Sequence, residues 1–153
     1  MKREDLFNSA RKLQQVSEKS AAEYGSKREH LVDVMNKKME KRPDLLNMVG
    51  VGNVEMMRDN HANHARFMES IFNQHAPEML ADTVLWVFRA YRSRNFGSTY
   101  WAAQLNTWIE IYKTELTPEC YNEIYPYYNW MQINIPAFNK FAEENLEAPY
   151  SAH

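Results

Sequence analysis

Cysteine is almost missing from this chain: Cys120 is the only one in 153 residues. A lone thiol excludes an internal disulfide framework and fits a reducing compartment. Glycine (4) and proline (6) are scarce, too few for the turn density of an all-β sandwich or barrel. No apolar run approaches the roughly 18 residues that a membrane span needs. The N-terminal MKREDLFNSARKLQQ lacks the apolar stretch of a secretory signal. These absences lead to the expectation of a cytoplasmic protein with no membrane partner. A large excess of one charge is lacking too, since the net charge is −2. Residues 1–42 hold 11 Lys+Arg against 7 Asp+Glu, and the remainder holds 7 against 13. The signs are interleaved, which describes a solvated helix face and not a nucleic-acid footprint.

What is present is aromatic and helical. Aromatic residues reach 13% and hydrophobic residues 44%. Leu6, Ala10, Leu13, Ala21 and Tyr24 recur at helical spacing, and Gly25-Ser26 predicts an interruption before a second short helix over 27–41. Pro43 opens a short apolar turn that ends at Gly50-Val51-Gly52. Longer helices are expected over 54–74, from Pro77 to about Arg94, and over 98–116 with Ser98 as N-cap. Thr117-Pro118-Glu119 then supplies a cap, an N1 proline and an acid at the positive end of a dipole. The last helix should run towards Leu146 and be kinked or broken at Pro126 and Pro136. Six to eight helices of unequal length suit orthogonal packing better than a regular four-helix bundle.

The residues that could carry chemistry are few. There is no Gly-rich phosphate loop, no nucleophile elbow and no recognisable pair of catalytic carboxylates, so no enzymatic activity is expected. On the helix from Pro77, a line of Met79, Asp82, Trp86, Arg89 and Ser93 mixes a soft apolar group, an acid, an indole face and a guanidinium. That set suits a flat amphipathic ligand, although a solvent-facing strip carries the same pattern. His61 and His64, at i and i+3, could share a metal but lack a third ligand, so no metal site is expected. Hydrogen-bonded core histidines are the plainer reading. Cys120 sits near a helix start without a partnered histidine, which points to an inert thiol. The run YNEIYPYYNW reads as the aromatic edge of a core, with a pocket or an interface as the alternative.

Two stretches resemble a known family. EMLADTVLWVFRAYRSRNFG is similar to the phycobiliprotein segment in which Cys-Leu-Arg-Asp opens a long apolar and aromatic helix. Here those four positions read Met79-Leu80-Ala81-Asp82. IYKTELTP is similar to the family's Met-Tyr-Lys-Ser-Leu-Gly-Thr-Pro, and here spans Ile111 to Pro118. The two stand in the same order at a similar separation. Lacking the chromophore cysteine, the chain most resembles the bilin biosynthesis-associated globins. The resemblance implies an all-α, globin-like fold over 43–153 with a helical extension over 1–42. It implies a bilin, biliverdin or a reduced form, held noncovalently because Met79 forms no thioether. Asp82 would take the pyrrole N–H groups, Tyr112 would lie beside the chromophore, and Arg89 or another arginine would take a propionate. Trp86, Trp101, His61 and His64 complete the expected surroundings. A carrier role, bilin-producing enzymes as partners and a homodimer are the corresponding expectations.

Haem is the alternative cofactor. It needs a late axial histidine, and none stands between Ala76 and Ala152. A cofactor-free interaction domain is the third reading. All functional expectations turn on Asp82 facing a cavity.

Overall fold

The computed structural model describes residues 2–144. Over that range the chain forms eight helices and no strand: α1 Arg3–Arg11, α2 Glu18–Glu40, α3 Leu45–Val49, α4 Val54–Asn73, α5 Pro77–Arg92, α6 Ser98–Glu115, α7 Pro118–Ile133 and α8 Ile135–Glu144. The all-α architecture therefore stands. None of the described helices is long and apolar enough to cross a membrane. The expected extent of the last helix towards Leu146 lies outside the described residues.

The largest departure from expectation is at Gly25-Ser26. The helix does not stop there, and α2 runs unbroken through it. Gly25 instead leaves room for a side chain of α4: a Cβ at this position would lie 2.6 Å from the Glu69 carboxylate, which Arg28 holds at 2.7 Å. The glycine serves packing between helices, an alternative to helix termination that local sequence does not distinguish. The real break lies between α1 and α2. There Ser17 caps α2, its Oγ accepting from the Ser20 N–H at 3.2 Å.

α2 is no appendage. It packs against α4, α6 and α7, while α1 and α8 pack on α5. The N-terminal stretch thus belongs to the same continuous core as the rest of the chain. Two glutamates fix its crossing with α7. Glu123 on α7 accepts from the Ser17 N–H (2.7 Å) and Oγ (2.9 Å) at the start of α2. Glu23 on α2 accepts from the Thr117 N–H (2.8 Å) and Oγ1 (2.7 Å) at the start of α7. Each helix start is met by a carboxylate from the other, where the dipole favours negative charge. At Glu123 the Ser20 and Ser17 donors hold the carboxyl below its ordinary value. At Glu23 burial pulls upward, but the Thr117 and Lys27 donors outweigh it and the net shift is downward.

Thr117 also caps its own helix, accepting from the Cys120 N–H at 3.3 Å. Thr117→Ala removes the cap and the bond to Glu23, and should cost about 1–2 kcal/mol in urea denaturation. Thr117→Ser should restore most of that loss.

Two proline and cap expectations need adjustment. Gly97, not Ser98, occupies the N-cap of α6. Pro126 lies inside α7 without ending it, on the exposed face, where water can serve the carbonyl that the proline leaves unbonded. The chain turns instead at Asn134, and Pro136 falls in the first turn of α8, where its missing N–H costs little.

Candidate ligand cavity

α4 and α5 make few direct backbone approaches, and a cavity of about 250 Å³ opens between them. α4 lines it with Asn60, His64, Phe67 and Met68, and α5 with Val84, Trp86, Val87, Phe88 and Tyr91. α6 closes the far side with Trp101, Gln104 and Leu105. Stacking of Phe88 on Trp101 (centroids 4.7 Å, 24°) joins the α5 and α6 walls. No residue in the lining carries a formal charge at neutral pH.

Of the eight residues expected around a ligand, three line this space: Trp86, Trp101 and His64. The other five do not. Asp82 is the decisive case. Its carboxylate faces α1, where Arg3 pairs with it at 3.3 Å, and 48% of the side-chain surface remains exposed. Met79 is 57% exposed. The expectation that Asp82 faces a cavity is thus corrected. Met79, Asp82 and Trp86 share one face of α5, whose first turns meet solvent and α1 before Trp86 reaches the cavity. The physical reason is that α1 packs on α5, with Arg3 on Asp82 and Arg11 on Glu78. Nothing in the α5 sequence announces that neighbour. Arg89 is half-buried on α5 outside the lining.

Tyr112 and His61 are buried in the core beside the cavity, not in its wall. The His64 ring stacks on Trp108 (5.4 Å, 23°), Trp108 stacks on Tyr112 (5.6 Å, 18°), and His61 meets Trp108 edge-on (6.0 Å, 81°). Burial pushes His64 down to about 3. Burial, with His64 nearby, does the same to His61. Both are therefore neutral imidazoles at physiological pH.

Their tautomers follow from hydrogen counting. His61 Nδ1 lies 2.7 Å from the Asn36 carbonyl oxygen Oδ1, so Nδ1 carries the proton and Nε2 is a bare acceptor, buried without a partner. His64 ends a chain of three hydroxyls: Tyr24 to Tyr112 at 3.4 Å, Tyr112 to Tyr128 at 2.6 Å, and Tyr128 to His64 Nε2 at 2.6 Å. Three contacts satisfy three hydrogens only if His64 Nε2 accepts. A proton on that nitrogen would leave one buried hydroxyl hydrogen without an acceptor, which is costly. Burial raises all three tyrosines well above the ordinary phenol value, so they remain hydroxyls.

This arrangement bears on the haem alternative. His64 turns Nε2 to Tyr128, and the bare Nε2 of His61 belongs to a residue outside the cavity wall. The described residues contain no group of three or more His, Cys, Asp or Glu arranged to hold a metal. Cys120 is buried, donates to the Ser20 carbonyl oxygen at 3.4 Å and is pushed up to about 11 by burial.

Two site residues escaped the sequence reading. Asn60 and Gln104 are buried amides at the back of the cavity. The Asn60 Oδ1 accepts from Tyr100 at 2.8 Å and from Gln104 Nε2 at 2.5 Å, and the same Nε2 donates to the Tyr100 hydroxyl at 2.8 Å. Their signal was an amide on an otherwise apolar helical stripe: Asn60 between Met57 and His64, and Gln104 between Trp101 and Trp108. A buried amide must find partners, and such positions merit the scrutiny usually given to charged residues.

Comparison with known protein families, curated proteins and solved structures finds no match.

Proposed function

We propose that this chain is a noncovalent binding module whose ligand occupies the cavity between α4 and α5. The observation that carries the reading is the lining itself: aromatic and aliphatic walls with a few convergent polar groups, the usual make-up of a small-molecule site. The polar groups are amides, hydroxyls and a neutral imidazole, which orient a ligand without supplying a charged acid or base. Binding without chemistry is the corresponding proposal. An arrangement of the globin type is part of it, supported by eight helices of unequal length, with α4, α5 and α6 surrounding the cavity.

Size bounds the ligand. An apolar cavity of about 150 Å³ accommodates one benzene ring, so about 250 Å³ suits two fused rings. Trp86 and Trp101 in the wall provide the readout. Titration with quinoline should quench tryptophan fluorescence along a saturable curve, and Val87→Trp, which fills the space, should abolish saturation. A linear, unsaturable response in the unmodified chain would remove the proposal.

A bilin is retained in a narrower form, favoured by the two indoles in the wall and by Arg89, three residues beyond Trp86 on α5. Two rings would enter the cavity, the other two would lie across its mouth near Asn63 and Thr83, and Arg89 would take a propionate. Asp82 has no part in this version. Biliverdin added to micromolar protein should then shift its red absorption, and the shift should weaken in Arg89→Ala but persist in Asp82→Ala. An unchanged spectrum would end the bilin reading and leave the small-ligand one in place.

A further inference from the structure

We infer that the cavity selects an uncharged, flat ligand of about two fused rings that carries a hydrogen-bond acceptor beside a hydrogen-bond donor, as on the edge of a cyclic amide. This rests on the proposal that the cavity is a binding site, and specifies the ligand class by following each polar hydrogen at its back.

Both hydrogens of the Gln104 amide are committed, one to Asn60 Oδ1 and one to the Tyr100 hydroxyl. The Tyr100 hydroxyl hydrogen goes to Asn60 Oδ1 as well. Asn60 Oδ1 therefore accepts twice, and the Asn60 amide nitrogen keeps its N–H groups as donors. Two polar functions are left over by this count: the Gln104 carbonyl oxygen, an acceptor, and the Asn60 amide N–H groups, donors. Both residues line the same cavity. Because Gln104 Nε2 donates to Asn60 Oδ1, the two amides are held in fixed relation. A ligand edge that matches them presents N–H to the Gln104 carbonyl oxygen and C=O to the Asn60 amide N–H.

Charge selection follows from the same lining. Its polar side chains are neutral, and the nearest wall imidazole has its Nε2 committed to Tyr128. A carboxylate in this space would lose its hydration without a cation to compensate. Neutral partners of the right shape are thereby preferred over their anionic relatives.

Three bicyclic probes of similar size separate the possibilities by isothermal titration calorimetry at pH 7.5. Quinoline has an acceptor only, 2-quinolinone has the N–H and C=O edge, and quinoline-2-carboxylate is an anion. 2-Quinolinone should bind at least tenfold more tightly than quinoline, and the carboxylate at least tenfold more weakly than quinoline. Gln104→Leu should bring 2-quinolinone to within threefold of quinoline. Equal affinity for the two neutral probes in the unmodified chain overturns the edge inference and spares the cavity. Tightest binding by the carboxylate overturns the neutral-ligand inference. No binding of any probe overturns both the inference and the binding proposal. The ligand series on the unmodified chain decides the matter even if Gln104→Leu does not fold.

Discussion

Lowering the pH from 7.5 to 5 should remove about 4 kcal/mol of stability, nearly all of it through two histidines. His61 and His64 have folded-state values near 3 against about 6.5 in an unfolded chain. A base whose value is depressed on folding is neutral in both states above about 6.5, so its full stabilisation is present there. Below 6.5 the unfolded chain takes up a proton that the folded chain refuses, and stability falls until pH reaches about 3. The slope is about 1.4 kcal/mol per pH unit for each histidine. Over the 1.5 units between 6.5 and 5, two histidines lose about 4 kcal/mol, against a total of 5–15 kcal/mol for an ordinary domain. The lowered carboxyls of Glu23, Asp44, Glu78 and Glu123 add to acid sensitivity only around and below their ordinary range. Urea denaturation across this pH series measures the effect. His61→Gln or His64→Gln should halve the pH dependence, whatever each substitution does to absolute stability. A denaturation midpoint that is flat from 7.5 to 5 would show that the two rings are not held neutral.

The hydrogen-bond chain gives a reason for the His64 half of that loss beyond simple burial. Protonating Nε2 reverses the direction of the Tyr128, Tyr112 and Tyr24 hydroxyls and strands one hydrogen in the core. Tyr112 enters the molecule in this role, as a relay partner of His64 in the core. The resemblance had led to the expectation that it stands beside a chromophore.

The helices themselves were legible because their signals are local. Pro77 and Thr117-Pro118 start α5 and α7 as their chemistry requires, and the apolar spacing of α4 places Met57, His61, Met68, Ile71 and Phe72 inside. Gly25 was misread because one residue type serves two ends, stopping a helix or admitting a neighbour, and only the position of α4 decides between them. Asp82 was misplaced for a related reason. Its spacing relative to Trp86 is correct, but how far along α5 that face is covered by α1 before it meets a cavity depends on a segment 79 residues earlier in the chain. Helix existence is written in nearest neighbours, whereas the location of a site is written in contacts between distant segments. The aromatic run over 121–130 shows the intermediate case. The plainer reading, a core edge, holds for Tyr127 and Tyr128, which are buried, while Tyr125 faces solvent.

Trp108 is where these distant contacts converge, and removing it should be the most damaging single substitution at this centre. Its indole is fully buried, with His64 stacked on it, Tyr112 also stacked against it, and His61 at its edge. Its N–H has no hydrogen-bond partner, so what it contributes is volume and ring contact. Trp108→Ala should therefore cost about 3–5 kcal/mol, the range for deleting a large buried aromatic. Trp108→Phe keeps an aromatic face, sacrifices no hydrogen bond and should cost about 1–2 kcal/mol. The alanine variant has a second signature that a general loss of packing would not produce. Opening space beside both imidazoles admits water, which weakens the burial that holds them near 3. Histidine titration followed by NMR should then move both values upward in Trp108→Ala, and the pH dependence of stability between 7.5 and 5 should shrink with them. Equal losses in the alanine and phenylalanine variants, with both histidines still untitrated at pH 5, would show that Trp108 merely fills space and does not keep the pair dry.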